Sequence, residues 1–165
     1  MAKGSSKTAA KAASKAKQGG AAVLVADNKK ARHQYEILDT FEAGLVLRGT
    51  EVKVLRQGKI HLEEAYARFT GAELWLVGAN IPEYSHGNLQ NHEPKRRRKC
   101  LLKKLELKKL AEQTKVKGLT LIPLRVYFGE KGYAKVTIGV GRGRKLHDKR
   151  QVLKEKEAKR EMRGA

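Results

Sequence analysis

From Arg32 onward apolar and polar residues alternate with a period of two, the spacing of a strand with one covered face. Tyr35, Ile37 and Asp39 fall on one side, Glu36 and Leu38 on the other. Glu42-Ala43-Gly44 interrupts the alternation and Leu45-Val46-Leu47 resumes it. Gly49 precedes a further element, Thr50 to Arg56, which Gln57-Gly58-Lys59 closes. The polar stretch His61 to Glu64 has the length of one helical turn. Ala65 to Phe69 and Leu74 to Asn80, joined by Thr70-Gly71-Ala72-Glu73, carry a hairpin signal, and Ile81 to Asn88 reads as loop. A second hairpin is predicted for Leu119 to Phe128 and Tyr133 to Val140, with Pro123 marking an edge position or a bulge.

Between the hairpins the period changes. Pro94 suits a first helical turn, where its missing N–H is not needed, and Glu93 complements the positive end of the dipole. Leu101, Leu102, Leu105, Leu107 and Leu110 supply an apolar stripe, cations fill much of the rest, and Gly118 is the stop. Six or so short strands with one intervening helix predict a mainly β chain, a small antiparallel barrel of the OB type with flanking helices. Composition alone leaves a sandwich open.

Charge sharpens the picture. The 165 residues carry a net charge of +20. After the last strand, Gly141 to Ala165 holds ten Lys or Arg against four Asp or Glu and no aromatic residue. Such a segment cannot bury enough apolar surface to offset its chain entropy, so it is predicted to be disordered until a polyanion meets it. Residues 1–26, rich in Ala, Lys, Ser and Gly, read as a second disordered basic arm. This divides the chain into an arm (1–26), a folded domain (27–141) and a basic tail (142–165). The tail also contains a latent helix. Asp148 is a good N-cap with Gln151 three positions on, but Arg150/Lys154, Lys156/Arg160 and Glu157/Glu161 set like charges together. Anions that quench the cations would let it form.

Other function classes lose ground. His33, His61, His86, His92 and His147 are scattered, without metal-ligand spacing or a thiol partner, so neither metal, cofactor nor catalytic centre is expected. Gly139-Val140-Gly141-Arg142-Gly143 lacks the Gly-Lys-Ser/Thr ending of a phosphate loop. The single Cys100 excludes an intrachain disulfide framework, no window approaches a membrane span, and no signal peptide is legible. A monomeric, cytoplasmic nucleic-acid-binding protein is the expectation, with Lys95-Arg96-Arg97-Arg98-Lys99 at a helix start as its phosphate-binding cluster.

Asn28 to Ile37, Glu42-Ala43-Gly44, Gly49 to Lys53 with Leu55-Arg56, Asn91-His92-Glu93-Pro94 and Asp148-Lys149-Arg150 together resemble the bacterial SsrA-binding protein (small protein B) family. The resemblance spans residues 28 to about 160 in the expected order. It implies an OB-fold adaptor, not an enzyme, that binds the tRNA-like domain of tmRNA. With elongation factor Tu it delivers alanyl-tmRNA to stalled 70S ribosomes. It implies Glu51 as a tmRNA-binding position with Arg56 in the same motif. Asn28, His33, Leu102 and Lys135 are implied as RNA-face or supporting residues. The tail, through Arg144, Lys145, His147, Asp148, Lys149 and Arg150, would enter the decoding centre and empty mRNA channel as a helix. The rival readings are a ribosomal protein and a cold-shock-like RNA chaperone. The latter needs aromatics exposed on a strand face, whereas Tyr35, Tyr66, Phe69 and Trp75 stand where a core would take them.

Overall fold

The computed structural model describes residues 22–164. Strand β1 (Val23–Asp27) leads into α1 (Lys29–Gln34), β2 (Tyr35–Leu45) and α2 (Gly49–Arg56). The hairpin β3 (Tyr66–Thr70) and β4 (Glu73–Val77) follows, then β5 (Arg98–Leu101), α3 (Lys104–Thr114), β6 (Leu119–Phe128), β7 (Ala134–Gly143) and α4 (Leu146–Gly164). The strands form one antiparallel sheet in the order β1-β6-β3-β4-β5-β2-β7, and pairing of β6 with β7 closes it. The expected mainly β, OB-type barrel with flanking helices is what forms.

Closure depends on how β6 divides its edges. One edge pairs with β7 along its length, while the other meets β3 at Leu121 and β1 from Arg125 to Phe128. Pro123 stands where the β6–β7 register shifts, the bulge its missing donor predicts. Leu74, Leu76, Val126, Val136 and Ile138 fill the barrel, with Val54 and Leu55 of α2 and Leu110 of α3 packed in the same core. Outside it, α1 lays Ala31 over Ile122 and Leu124, beside Tyr35 and Ile37. The middle of β6 is thus buried on both faces, which explains its unbroken apolar run.

Tertiary contacts overrode local pattern in several places. The helix expected from Pro94 begins only at Lys104, because Arg98–Leu101 is drawn into the barrel as β5, paired with β4 on one edge and β2 on the other. Thr50 to Arg56, grouped with the strand-like elements in the sequence reading, is the helix α2. The break expected at Glu42-Ala43-Gly44 is absent: β2 runs through it, and its register shift lies between Ile37 and Asp39. His61 to Glu64 makes no helical turn; His61 instead bridges Asn80. Strand β1 lies inside the segment read as an arm, and β7 continues to Gly143, so the folded unit outruns 27–141 at both ends. The rest of the predicted arm, residues 1–21, lies outside the described residues. The tail, expected to lack structure of its own, is helical, and its helix starts two residues before Asp148, which occupies the first turn and not the N-cap. The glycines of Gly139 to Gly143 belong to β7, and a Cβ at Gly139 would come within 2.9 Å of Leu124. At Gly139 and Gly141 the need is close packing, whereas a Cβ at Gly143 would meet nothing within 4 Å.

Gly78 closes the turn after β4 at φ +78, and a Cβ there would lie 2.8 Å from the Glu64 carbonyl oxygen. Gly78→Ala therefore meets both backbone strain and a clash with main chain. A loss of about 2–3 kcal/mol is expected, read as a lower urea midpoint with unchanged slope.

Candidate nucleic-acid interface

Helix α2 places Glu51 in its first turn, where the carboxylate accepts from the Arg48 backbone N–H at 2.7 Å. The side chain is 0% exposed, and two guanidinium groups close on it. Arg96 Nε and Nη2 donate to its two oxygens at 3.1 and 2.7 Å, and Arg98 Nε donates at 3.0 Å. Arg98 is equally buried and spends its remaining donors on the carbonyls of Ala79, at 2.6 Å, and Pro94, at 3.0 Å. Next to this node, Thr50 Oγ1 and His92 Nδ1 are 2.9 Å apart, and His92 Nε2 lies 3.0 Å from the Ile81 carbonyl. A carbonyl only accepts, so Nε2 carries a proton toward Ile81, and in the neutral ring Nδ1 accepts from Thr50. Together these bonds tie the loop between β4 and β5 to α2.

Burial pushes the Glu51 carboxyl up, but the Arg96 hydrogen bonds, the Arg48 N–H and the charges of Arg98 and Arg96 outweigh it. The net effect holds the group below its ordinary value of 4.5. Burial likewise pulls Arg98 down against the pull of Glu51. A fully enclosed carboxylate cannot touch a ligand. Of its two arginine partners only Arg96 reaches the surface, keeping 24% of its side chain in solvent.

The five-cation run is correspondingly not a phosphate cluster on a helix. Lys95 lies in a turn with Pro94, and from Arg96 the chain runs into β5, where alternation sends Arg96 and Arg98 inward to Glu51 while Arg97 and Lys99 face outward. Lys95 approaches Glu64 at 3.8 Å, and Lys99 pairs with Glu73.

The remaining expected residues fall into separate groups. Leu102 and Lys135 line one cleft with Glu42, Gly44, Lys103 and Glu106. There Lys135 Nζ donates to Glu42 at 2.7 Å, which is the main reason the Glu42 carboxyl sits below the usual range. Leu102 is half-buried against the core, so the cleft offers an apolar floor with a cation on its rim. Asn28 is buried at 6%: its side chain accepts from Ala31 N–H and donates to Leu62 and Pro123 carbonyls, so it caps α1 and anchors it to the barrel. His33 is half-exposed on α1, whose last carbonyl, Gln34, accepts from Arg144 N–H at 2.9 Å. The base of the tail is therefore tied to the helix carrying His33. Arg56 is exposed at the end of α2, its guanidinium 5.2 Å from the Phe128 ring centre. Along the tail Lys145, Asp148 and Arg150 are exposed and Lys149 is half-buried, and the side chain of His147 lies outside the described residues.

Of the four aromatics expected in the core, Tyr35 and Phe69 pack against it and two do not. Tyr66 and Trp75 point outward from β3 and β4, at positions between the buried Ala67, Leu74 and Leu76. Only the strict alternation of burial along the hairpin reveals this, and the all-apolar run Leu74-Trp75-Leu76-Val77 conceals it in the sequence.

Residues 25–165 match the family described as SmpB protein. The SsrA-binding protein of Chelativorans sp. (strain BNC1) is 54% identical over 137 residues, 83% of this chain and 88% of that protein. Its counterpart in Agrobacterium fabrum is 53% identical over 138 residues, 84% and 86% of the two chains. A solved structure described as "tmRNA-SmpB: a journey to the center of the bacterial ribosome" contains a chain that aligns with a TM-score of 0.63 at 50% identity, across 73% of this chain and 85% of that one. With a family match over that span and relatives identical at half their positions, this chain belongs to the SmpB family.

Proposed function

We propose that this chain binds tmRNA and acts in trans-translation, holding the tRNA-like domain against its barrel. In this reading it accompanies alanyl-tmRNA, with elongation factor Tu, to 70S ribosomes stalled with an empty A site, as a cytoplasmic monomer without catalytic activity. The observation that carries it is the 50% identity to a chain in a tmRNA-SmpB structure across most of both chains. The geometry supports it: an Arg96–Glu51–Arg98 lock beside exposed Arg97, a second cleft with Lys135 and Leu102, and a basic helix that follows β7 and is tied at its base to α1. Arg96 and Lys135 are the groups read as facing RNA, and Glu51 and Asn28 as the supports that aim them. His147 would stack on ribosomal bases, as an imidazole can.

The fragment 22–143, which contains every strand, should bind tmRNA by itself. For roughly six phosphate contacts, affinity should drop about a thousandfold between about 50 and 200 mM salt. Sequencing the RNA that copurifies with the tagged chain checks the partner. Recovery of ribosomal RNA with no enrichment of tmRNA would favour a ribosomal protein instead.

A further inference from the structure

The outer face of the β3–β4–β5 hairpin region carries a row of side chains that neither the Glu51 node nor the Lys135 cleft uses. Register pairs Arg68 with Trp75 across β3 and β4, and Trp75 with Lys99 across β4 and β5. Tyr66, two residues along β3, opposes Val77 on the same face. Directly opposed residues on one face lie about 5 Å apart at Cβ, so these groups form a continuous band. Arg68 is exposed, Tyr66 is 41% exposed and Trp75 is half-buried, with its neighbours Leu74 and Leu76 fully inside. Lys99 pairs with Glu73 at one end, leaving Arg68 without an acidic partner among the described residues.

Aromatic rings flush with a sheet and flanked by long cations suit unpaired nucleotides. Each base offers a π-face to Trp or Tyr, and the phosphates between bases meet Arg and Lys. A folded duplex presents its bases edge-on and already stacked, so it cannot use the rings. The chain's +20 charge supplies the complementary field. We infer that the Tyr66–Arg68–Trp75–Lys99 face is a second RNA site, one that stacks single-stranded nucleotides, separate from the groups read above as holding the tRNA-like domain.

Trp75 is the sole tryptophan, so its emission reports this face alone. The full chain is titrated at low salt with an unpaired RNA of about ten nucleotides, deca-adenylate or deca-uridylate, and with a duplex of equal length. The unpaired strands should quench Trp75 saturably, and the duplex should leave emission nearly unchanged. With an end-labelled strand, Arg68→Ala and Tyr66→Ala should each weaken binding about five- to tenfold, as should Trp75→Ala. Because Trp75 is half-buried, Trp75→Ala is read beside Arg68→Glu, an exposed position whose change leaves the packed face intact. The binding of the tRNA-like domain should change less than twofold in Arg68→Glu, which separates this site from the proposed function. Equal quenching by duplex, or a labelled strand that binds without quenching Trp75, would overturn the inference. So would Arg68→Glu binding that strand as tightly as the parent chain.

Discussion

Glu51→Ala is expected to cost about 3–5 kcal/mol of folding stability, a large share of what a domain of this size possesses. Removing the carboxylate leaves Arg98 charged and fully enclosed, its strongest partner gone, and frees Arg96 from its two hydrogen bonds. The loop between β4 and β5 would lose the Arg98 part of its tie to α2, since Arg98 also holds the Ala79 and Pro94 carbonyls, and would keep the Thr50–His92 contact. RNA binding should fall with stability. A thermal melt and a tmRNA titration on the same protein check this, the titration made well below the variant's midpoint. Adding Arg98→Met should recover much of the stability, since removing both charges leaves no buried ion. It should not recover RNA affinity, because Arg96 remains unheld. A variant melting within about 0.5 kcal/mol of the parent would show that the node carries no weight.

The same node fixes a pH dependence. Glu51 has a lowered folded value, so its stabilisation is complete above its ordinary 4.5 and is lost as pH falls through the lowered folded value. Unfolding free energy should be flat from neutral pH down to about 5 and then decline. In Glu51→Gln the acid-side decline should be shallower than in the parent.

Deleting residues 144–165 should have the opposite profile: a stable protein that has lost its activity on the ribosome. Among the described side chains of α4 only Lys149 and Val152 are partly covered, so the barrel should melt close to the parent temperature. Far-ultraviolet circular dichroism should lose the helical signal of the tail. Affinity for the tRNA-like domain should change by less than about threefold, since the groups read as facing RNA lie before Gly143. Peptide tagging on stalled ribosomes should fall at least a hundredfold. Replacing Asp148, Lys149 and Arg150 together with alanine should reproduce that loss with the helix still present. The reason is electrostatic: α4 sets Arg150 by Lys154 and Lys156 by Arg160, repulsions that rRNA phosphates would quench. Tagging at the parental rate by the truncated chain would reduce the protein to a simple RNA carrier.

The alternation along Tyr35 to Asp39, the hairpin at Thr70-Gly71-Ala72-Glu73 and the β6–β7 hairpin were legible because each is a local matter. A period of two and a positive-φ turn at Gly71 or Gly132 depend on neighbours in the chain, not on distant contacts. The basic charge and the departure of a cationic tail after the last strand are composition, and needed no fold.

What the sequence could not disclose is which partner each charged residue meets. Lys95 to Lys99 reads equally well as the start of a cationic helix, with Leu101 and Leu105 continuing the stripe. Only the open edges of β4 and β2 make an extended Arg98–Leu101 the better solution, since both edges would otherwise lack ladder partners. Once that backbone is extended, alternate residues point to opposite faces, and Arg96 and Arg98 are delivered to a carboxylate 45 and 47 residues away. A residue's spacing from its chain neighbours sets its secondary-structure preference. The burial of Glu51 between two arginines, and the outward turn of Trp75, depend on which strand lies alongside, and that the closed barrel alone decides.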